Sequence, residues 1–202
     1  VNLAVWAFSF WQGWVYVVLS VAAGSAISIY LQRADPALLA RRLRGPAAES
    51  ETSQKLIQLA AAVVFAATIG LSLLDHRFAW SHVPPPATIA ADALLATSFL
   101  TIFLSLRENT FAAVNIVVEA DQRVISTGPY AIVRHPYYVG LLLWCLATPP
   151  ALASWYGLLA LPAMALVIAF RIVYEERFLA EHLRGYAAYC RSVRYRLLPR
   201  VW

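Results

Sequence analysis

Five runs almost free of charge, at 3–31, 56–74, 87–106, 137–148 and 151–170, alternate with polar stretches along the chain. The nineteen residues from Leu56 to Leu74 carry no charge, close to the ~20 apolar residues that cross about 30 Å of hydrocarbon. Runs 3–31 and 87–106 are longer, and Asp92 is the only charge in them, placed by its position near a helix end at headgroup level. Run 137–148 corresponds to a helix of only ~18 Å, too short to cross alone. Pro149-Pro150 stop it, so it pairs with 151–170 as a helical hairpin tipped at Thr148-Pro149-Pro150, with Pro162 expected to kink the return arm. The predicted fold is all-α: a polytopic integral membrane protein of about five transmembrane helices, the last two a Pro-tipped hairpin, followed by a helical C-terminal tail. We expect one domain over 1–202, with three spans up to 106 and a second half from 107 to 202.

Composition supports the membrane assignment. Hydrophobic residues make up 61% and charged residues 13%, with a mean hydropathy of +0.63, whereas soluble domains carry about a quarter charged residues. The 7 Trp and 10 Tyr suit interfacial belts, with Trp6, Trp11, Trp14 and Tyr16 at the start of the first run. Run 3–31 lacks the short core and cleavage site of a signal peptide and is expected to be a retained span. The net charge of +5 fits contact with anionic headgroups, and no basic run interleaved with stacking aromatics suggests nucleic acid. Cys145 and Cys190 fall in unrelated environments, which argues against a disulfide, and the four His lack metal-ligand spacing. Lys and Arg gather in 32–55, 107–136 and the tail from Arg171, leaving Arg77 alone in the 75–86 loop. The positive-inside rule therefore puts the N-terminus outside and the tail in the cytosol.

Chemistry concentrates in Gly128-Pro129-Tyr130 and Arg134-His135-Pro136-Tyr137-Tyr138-Val139-Gly140. Pro129 and Pro136 force the preceding residues out of helical geometry, which shapes a loop with a cation and an imidazole at the mouth of an apolar segment. Such a loop either binds a polar group at the membrane surface or anchors to headgroups, and the residues alone leave both open. The tail is the second informative stretch: Arg171 lies beside Glu175 by i,i+4 spacing, Gly185 breaks the helix, and Tyr186 and Tyr189 share a face after it. The closing segment, with Arg194, Arg196 and Arg200 among Leu197, Leu198 and Trp202, needs no role beyond lying on the membrane.

Taken together, Gly128-Pro129-Tyr130, Arg134-His135-Pro136 with Tyr138 and Gly140, Glu175-Glu176, and Tyr186 with Tyr189 resemble the isoprenylcysteine carboxyl methyltransferase family and its phospholipid methyltransferase relatives. Arg107-Glu108-Asn109 and the segment Gln122 to Thr127 are similar to compact bacterial members, as are Trp11-Gln12-Gly13-Trp14, Asp35-Pro36 and Asp75-His76-Arg77. The resemblance implies a bacterial inner-membrane enzyme, with its catalytic face cytosolic, that uses S-adenosylmethionine and no metal. It implies a cofactor site at Tyr130, His135, Pro136, Tyr138, Gly140, Glu175 and Glu176, and does not say which glutamate contacts the cofactor. His182-Leu183-Arg184-Gly185 replaces the Phe-Gly that precedes the tyrosines in eukaryotic members, which leaves the acceptor open.

The residue types suit that cofactor. An acid meets its ammonium, a cation its carboxylate and an aromatic surface its adenine, and Glu175 or Glu176, Arg134 and Tyr138 supply them. We expect methyl transfer to a membrane-partitioned amphiphile, with membrane lipids as partners and Arg134, Glu176, Arg194 and Arg196 acting in catalysis. A carboxylate acceptor is favoured. A phospholipid amine, a sterol-reductase-like NADPH enzyme and a non-enzymatic scaffold are the alternatives.

Overall fold

The computed structural model describes residues 8–44, 52–112 and 122–202. Trp6 and the Gly45-Pro46 break lie outside them. Seven α-helices follow in order among the described residues: α1 (Trp11–Ala34), α2 (Pro36–Leu43), α3 (Thr52–Phe78), α4 (Pro85–Glu108), α5 (Pro136–Ala151), α6 (Leu161–His182) and α7 (Tyr186–Ser192). Short 3₁₀ turns at Gly128–Ala131 and Tyr156–Ala160 precede α5 and α6. Four helices, α1, α3, α4 and the continuous 156–182 stretch ending in α6, are long and apolar enough to cross a membrane. With its 16 residues, α5 reaches about 24 Å and packs inside the bundle. The protein is a polytopic helical membrane protein.

Local chemistry sets the boundaries. Pro36 ends α1, and the Asp35 carboxylate caps α2 by accepting the Leu38 N–H at 2.9 Å. Of the three prolines in a row, Pro84 is the cap and Pro85 and Pro86 occupy the first turn of α4, where N–H groups have no intrahelical partner. α3 and α4 exceed their uncharged runs at both ends; α3 includes Thr52 to Lys55 and Asp75 to Phe78, because backbone hydrogen bonding continues past the hydrocarbon edge.

Two expectations for the hairpin are corrected. Its tip is not at Thr148-Pro149-Pro150, because both prolines lie inside the last turn of α5 and the chain reverses at 152–155. Only the proline N–H is lost. The Pro149 carbonyl accepts from Leu152 and Ser154 N–H and the Pro150 carbonyl from Ala153, so the prolines complete the turn. Nor does Pro162 kink the return arm; it sits in the first turn of α6, where its missing N–H costs nothing.

The tip is fixed by a residue that the sequence places in a loop. Asp75 lies in the last turn of α3 and is fully buried. Its carboxylate accepts from Ser81 N–H (2.7 Å), Ser81 O–H (2.6 Å), Ser154 O–H (2.6 Å) and Tyr156 N–H (3.3 Å). One carboxylate thus ties the α3–α4 loop to the hairpin.

Helices α4 and α5 make the closest contact. A Cβ on Gly140 would lie 2.6 Å from Ile102 Cγ1 and 3.1 Å from the Ser98 carbonyl, so only glycine lets the two backbones approach this far. Gly140→Val is expected to destabilise the protein by about 1–3 kcal/mol or more through overpacking. A melting temperature in detergent equal to wild type would show that the helices can part without cost.

Candidate active site

At the end of the bundle that carries the tail, the 127–136 loop is held in place by backbone as much as by side chains. Gly128 takes φ +55° with its Cα side against the Glu108 carboxylate, where a Cβ would approach to 3.0 Å. From there the chain makes one 3₁₀ turn, and the Arg134 and His135 N–H groups donate to the Tyr195 and Arg196 carbonyls at 2.9 and 3.0 Å. The Tyr189 hydroxyl donates to the Tyr130 carbonyl at 2.8 Å. Loop and tail therefore form one unit.

Glu176 is the centre of that unit. Its carboxylate accepts from Arg134 Nε at 2.6 Å and Arg196 Nε at 2.8 Å, and His135 Nε2 lies 3.2 Å from it. Its side chain is 11% exposed, against 8% for Arg134 and 5% for His135. Arg134 also donates from one terminal nitrogen to the Val193 and Arg194 carbonyls. Burial works against the Arg134 charge, but the Glu176 carboxylate more than offsets it and the guanidinium pKa is raised.

Glu175 has different surroundings. The Tyr138 hydroxyl donates to it at 2.7 Å, Arg171 Nε reaches the same hydroxyl at 3.4 Å, and Arg171 also donates to the fully buried Gln54. Glu175, Tyr138 and Arg171 border a cavity of about 350 Å³, within the roughly 300–1,000 Å³ of small-molecule sites. On α6 its wall comprises Met164, Val167, Ile168, Arg171, Glu175 and Leu179, a stripe at helical period that includes Glu175 and passes Glu176 by.

The cavity has two parts. Its mouth is polar, with Arg42, Asn109, Arg123, Tyr130, Arg134, His135, Tyr137, Tyr138, Arg171, Glu175, Tyr186 and Tyr189. Below it, an arm lined by Ala61, Phe65, Leu141, Trp144, Cys145, Met164, Val167 and Ile168 descends between α3, α5 and α6.

Of the residues expected at the site, Tyr130, Arg134, His135, Tyr138 and Glu175 line the cavity, whereas Pro136, Gly140, Glu176, Arg194 and Arg196 do not. Gly140 faces α4, Arg196 is paired to Glu176, and Arg194 is exposed. Sequence reasoning missed Arg42, which donates to the Tyr137 hydroxyl at 2.6 Å and lies 4.8 Å from that ring's centroid. The Asp35-Pro36 cap was its available signal, since it starts the short helix that presents Arg42.

Burial raises the pKa of the Tyr130, Tyr186 and Tyr189 hydroxyls, so they stay protonated at neutral pH. Their contribution to stability is fully present below the unfolded value near 10 and is lost as pH rises beyond it. Wild-type protein should therefore melt at falling temperature above about pH 10, with a shallower fall in Tyr186→Phe; identical pH profiles would contradict this.

Residues 86–185 match the phospholipid methyltransferase family model. Over that stretch the chain is similar to the phospholipid methyltransferase family. The family segment runs from the start of α4 to the Gly185 break, and holds the shaped loop, the hairpin and both glutamates. Among curated proteins, the chain is 32% identical over 77 residues to protein-S-isoprenylcysteine O-methyltransferase B of Arabidopsis thaliana, covering 37% of this chain and 39% of that one. It is 31% identical over 126 residues to the cobalt-zinc-cadmium resistance protein CzcN of Cupriavidus metallidurans, covering 59% of this chain and 54% of the relative. Among the described residues, no group of three or more His, Cys, Asp or Glu is placed to hold a metal ion.

Proposed function

We propose that this protein is an S-adenosylmethionine-dependent methyltransferase that acts on the anionic head of a membrane amphiphile. One observation carries the proposal: a single cavity joins a polar mouth, where four arginines and one carboxylate are found among the described residues, to an apolar arm inside the membrane-spanning helices. An amphiphile with an anionic head matches both halves.

The donor set fits the cofactor. Glu175 is the cavity's carboxylate for an ammonium, the arginines of the mouth suit its carboxylate, and Tyr130, Tyr186 and Tyr189 give aromatic surface for adenine. When bound, the cofactor supplies an electrophilic methyl group on a positively charged sulfur. The work of the chain is to align the acceptor and exclude water. Arg42 and Arg171 stand where they can orient an acceptor carboxylate, which is ionised at neutral pH and has no proton to lose. An amine would need a base; the mouth's tyrosines keep their protons, which leaves that role to His135 or Glu175, whereas a carboxylate needs none. The carboxylate is therefore the favoured acceptor. Arg134, Arg196 and Glu176 act as positioning residues that hold the loop.

Calorimetry on detergent-purified protein should show binding of S-adenosylhomocysteine and none of NADPH; the reverse would overturn the proposal. Labelled methyl groups should enter a lipid extract as a base-labile ester at a rate nearly flat from about pH 6 to 8. A rate climbing steeply with pH and a base-stable product would assign an amine.

We further propose that the mouth faces the cytosol, on the charge asymmetry of the loops. In protein lacking Cys145 and Cys190, an impermeant thiol reagent applied to intact cells should label a cysteine at the exposed position His82 and spare one at Ala187. Labelling at Ala187 would invert the orientation.

A further inference from the structure

The apolar arm ends on a floor, and that floor is built with more care than a lipid-filled gap requires. On all three surrounding helices the lining stops at one level: Phe65 on α3, Trp144 and Cys145 on α5, and Met164 on α6. Beneath it Thr68, Ser72, Ala147 and Thr148 are buried. Trp144 is locked by a closed ring of hydrogen bonds. Its indole N–H donates to the Tyr16 hydroxyl at 3.1 Å, and the Thr148 hydroxyl donates to the Trp144 carbonyl at 2.8 Å. With the Thr148 proton so committed, the 3.1 Å contact between Tyr16 and Thr148 is a donation from Tyr16. The rings of Phe65 and Phe99 flank the indole at centroid distances of 4.9 and 5.3 Å.

We propose that Trp144 is a chain-length ruler: the arm receives the acceptor's alkyl or polyprenyl chain, and the anchored indole sets the longest chain that fits. This rests on reading the cavity as the site of an amphiphilic acceptor. From mouth to floor the arm measures roughly 9 Å along α5 (Tyr138 to Trp144) and 16 Å along α6 (Glu175 to Met164), at ~1.5 Å per residue. A chain that ends within this range of roughly 9–16 Å lies wholly inside the protein. A longer one must displace an indole held by the Tyr16 hydroxyl and flanked by two rings, and close-packed interiors resist such intrusion.

The test is binding, so it needs neither cofactor nor methyl transfer. Straight-chain carboxylates from octanoate to stearate, brominated on the terminal carbon, are titrated into detergent-purified protein, and indole quenching is compared between wild type and Trp144→Phe. The difference isolates Trp144 from the other tryptophans. Its quenching should peak at one chain length, and affinity should fall about tenfold for chains beyond it. Trp144→Ala should move the break to longer chains. Phe65→Ala, which opens the same floor without touching the hydrogen-bonded ring, should do likewise and covers the case in which Trp144→Ala does not fold. Tyr16→Phe removes only the anchor and should blunt the break. Affinity without a break, a break unmoved in folded Phe65→Ala, or no quenching of Trp144 at any length would each overturn the ruler. Failure of S-adenosylhomocysteine to bind while the break persists would instead overturn the methyltransferase proposal and leave the ruler standing.

Discussion

Glu176→Ala is expected to cost about 3–5 kcal/mol of stability, the usual result of removing one partner from a buried ion pair. Three donors converge on its carboxylate, and two of them, on Arg134 and His135, are themselves buried. Without the carboxylate, the Arg134 guanidinium keeps its two backbone acceptors, Val193 and Arg194, but loses its counter-charge in a place water scarcely reaches. Arg196 is a third exposed and loses less, because solvent can take over its charge. The damage should be local first. The loop and tail are joined by the Arg134 and His135 N–H bonds to Tyr195 and Arg196, so releasing the ion pairs loosens both strands of that contact together. Amide exchange at Arg134 and His135 should accelerate ahead of exchange in α4 and α5. Glu176→Gln, which keeps the shape and one acceptor oxygen, should be less severe. A denaturation midpoint for Glu176→Ala within about 1 kcal/mol of wild type would mean that the cluster behaves as a surface ion pair and does not hold the loop.

The membrane spans are plain in the sequence because lipid demands long uncharged runs, and nothing else in a chain produces them. The hairpin tip was misplaced for a related reason: Pro149-Pro150 announces that a helix is ending, and not at which residue. A proline in a last turn loses one donor, yet both carbonyls remain available and here close the turn. Asp75 stood out only within Asp75-His76-Arg77, and its tie to the hairpin was hidden because its partners, Ser81, Ser154 and the Tyr156 N–H, come from two other segments. Arg42 is similar, being 95 residues from the Tyr137 it contacts. Contacts of that range have no local signature. The loop itself was legible, since Pro129 and Pro136 fix the backbone whatever surrounds them.

The two glutamates show most clearly what the sequence left out. Adjacent helical residues point about 100° apart, so Glu175-Glu176 guarantees that the two carboxylates face different neighbours without saying which faces the ligand. The rotation of α6 decides it. Ile168 and Ile172 are buried against α5, and with them inside, the stripe from Met164 through Arg171 to Glu175 faces the cavity while Glu176 turns to the loop and tail. The stripe was countable in advance, but which of its faces meets a cavity was not.

Glu175→Gln is therefore expected to leave the fold intact and weaken S-adenosylhomocysteine binding by about 1.5–3 kcal/mol, roughly 10- to 150-fold, the worth of a charge-assisted hydrogen bond in a desolvated site. The substitution keeps volume and keeps an oxygen for the Tyr138 hydroxyl, so the Tyr138 and Arg171 contacts need not collapse. What it removes is the cavity's carboxylate, the group proposed to meet the ligand ammonium. The pattern is the inverse of that at Glu176, where stability falls first and binding follows. Tyr138→Phe separates the remaining ambiguity: it deletes the hydroxyl that donates to Glu175 but leaves the charge, and should weaken binding less than Glu175→Gln. Melting temperatures measured beside the calorimetry keep loss of fold apart from loss of affinity. Wild-type affinity in a folded Glu175→Gln protein would remove Glu175 from the cofactor site, and with it the assignment of the polar mouth to an ammonium-bearing ligand.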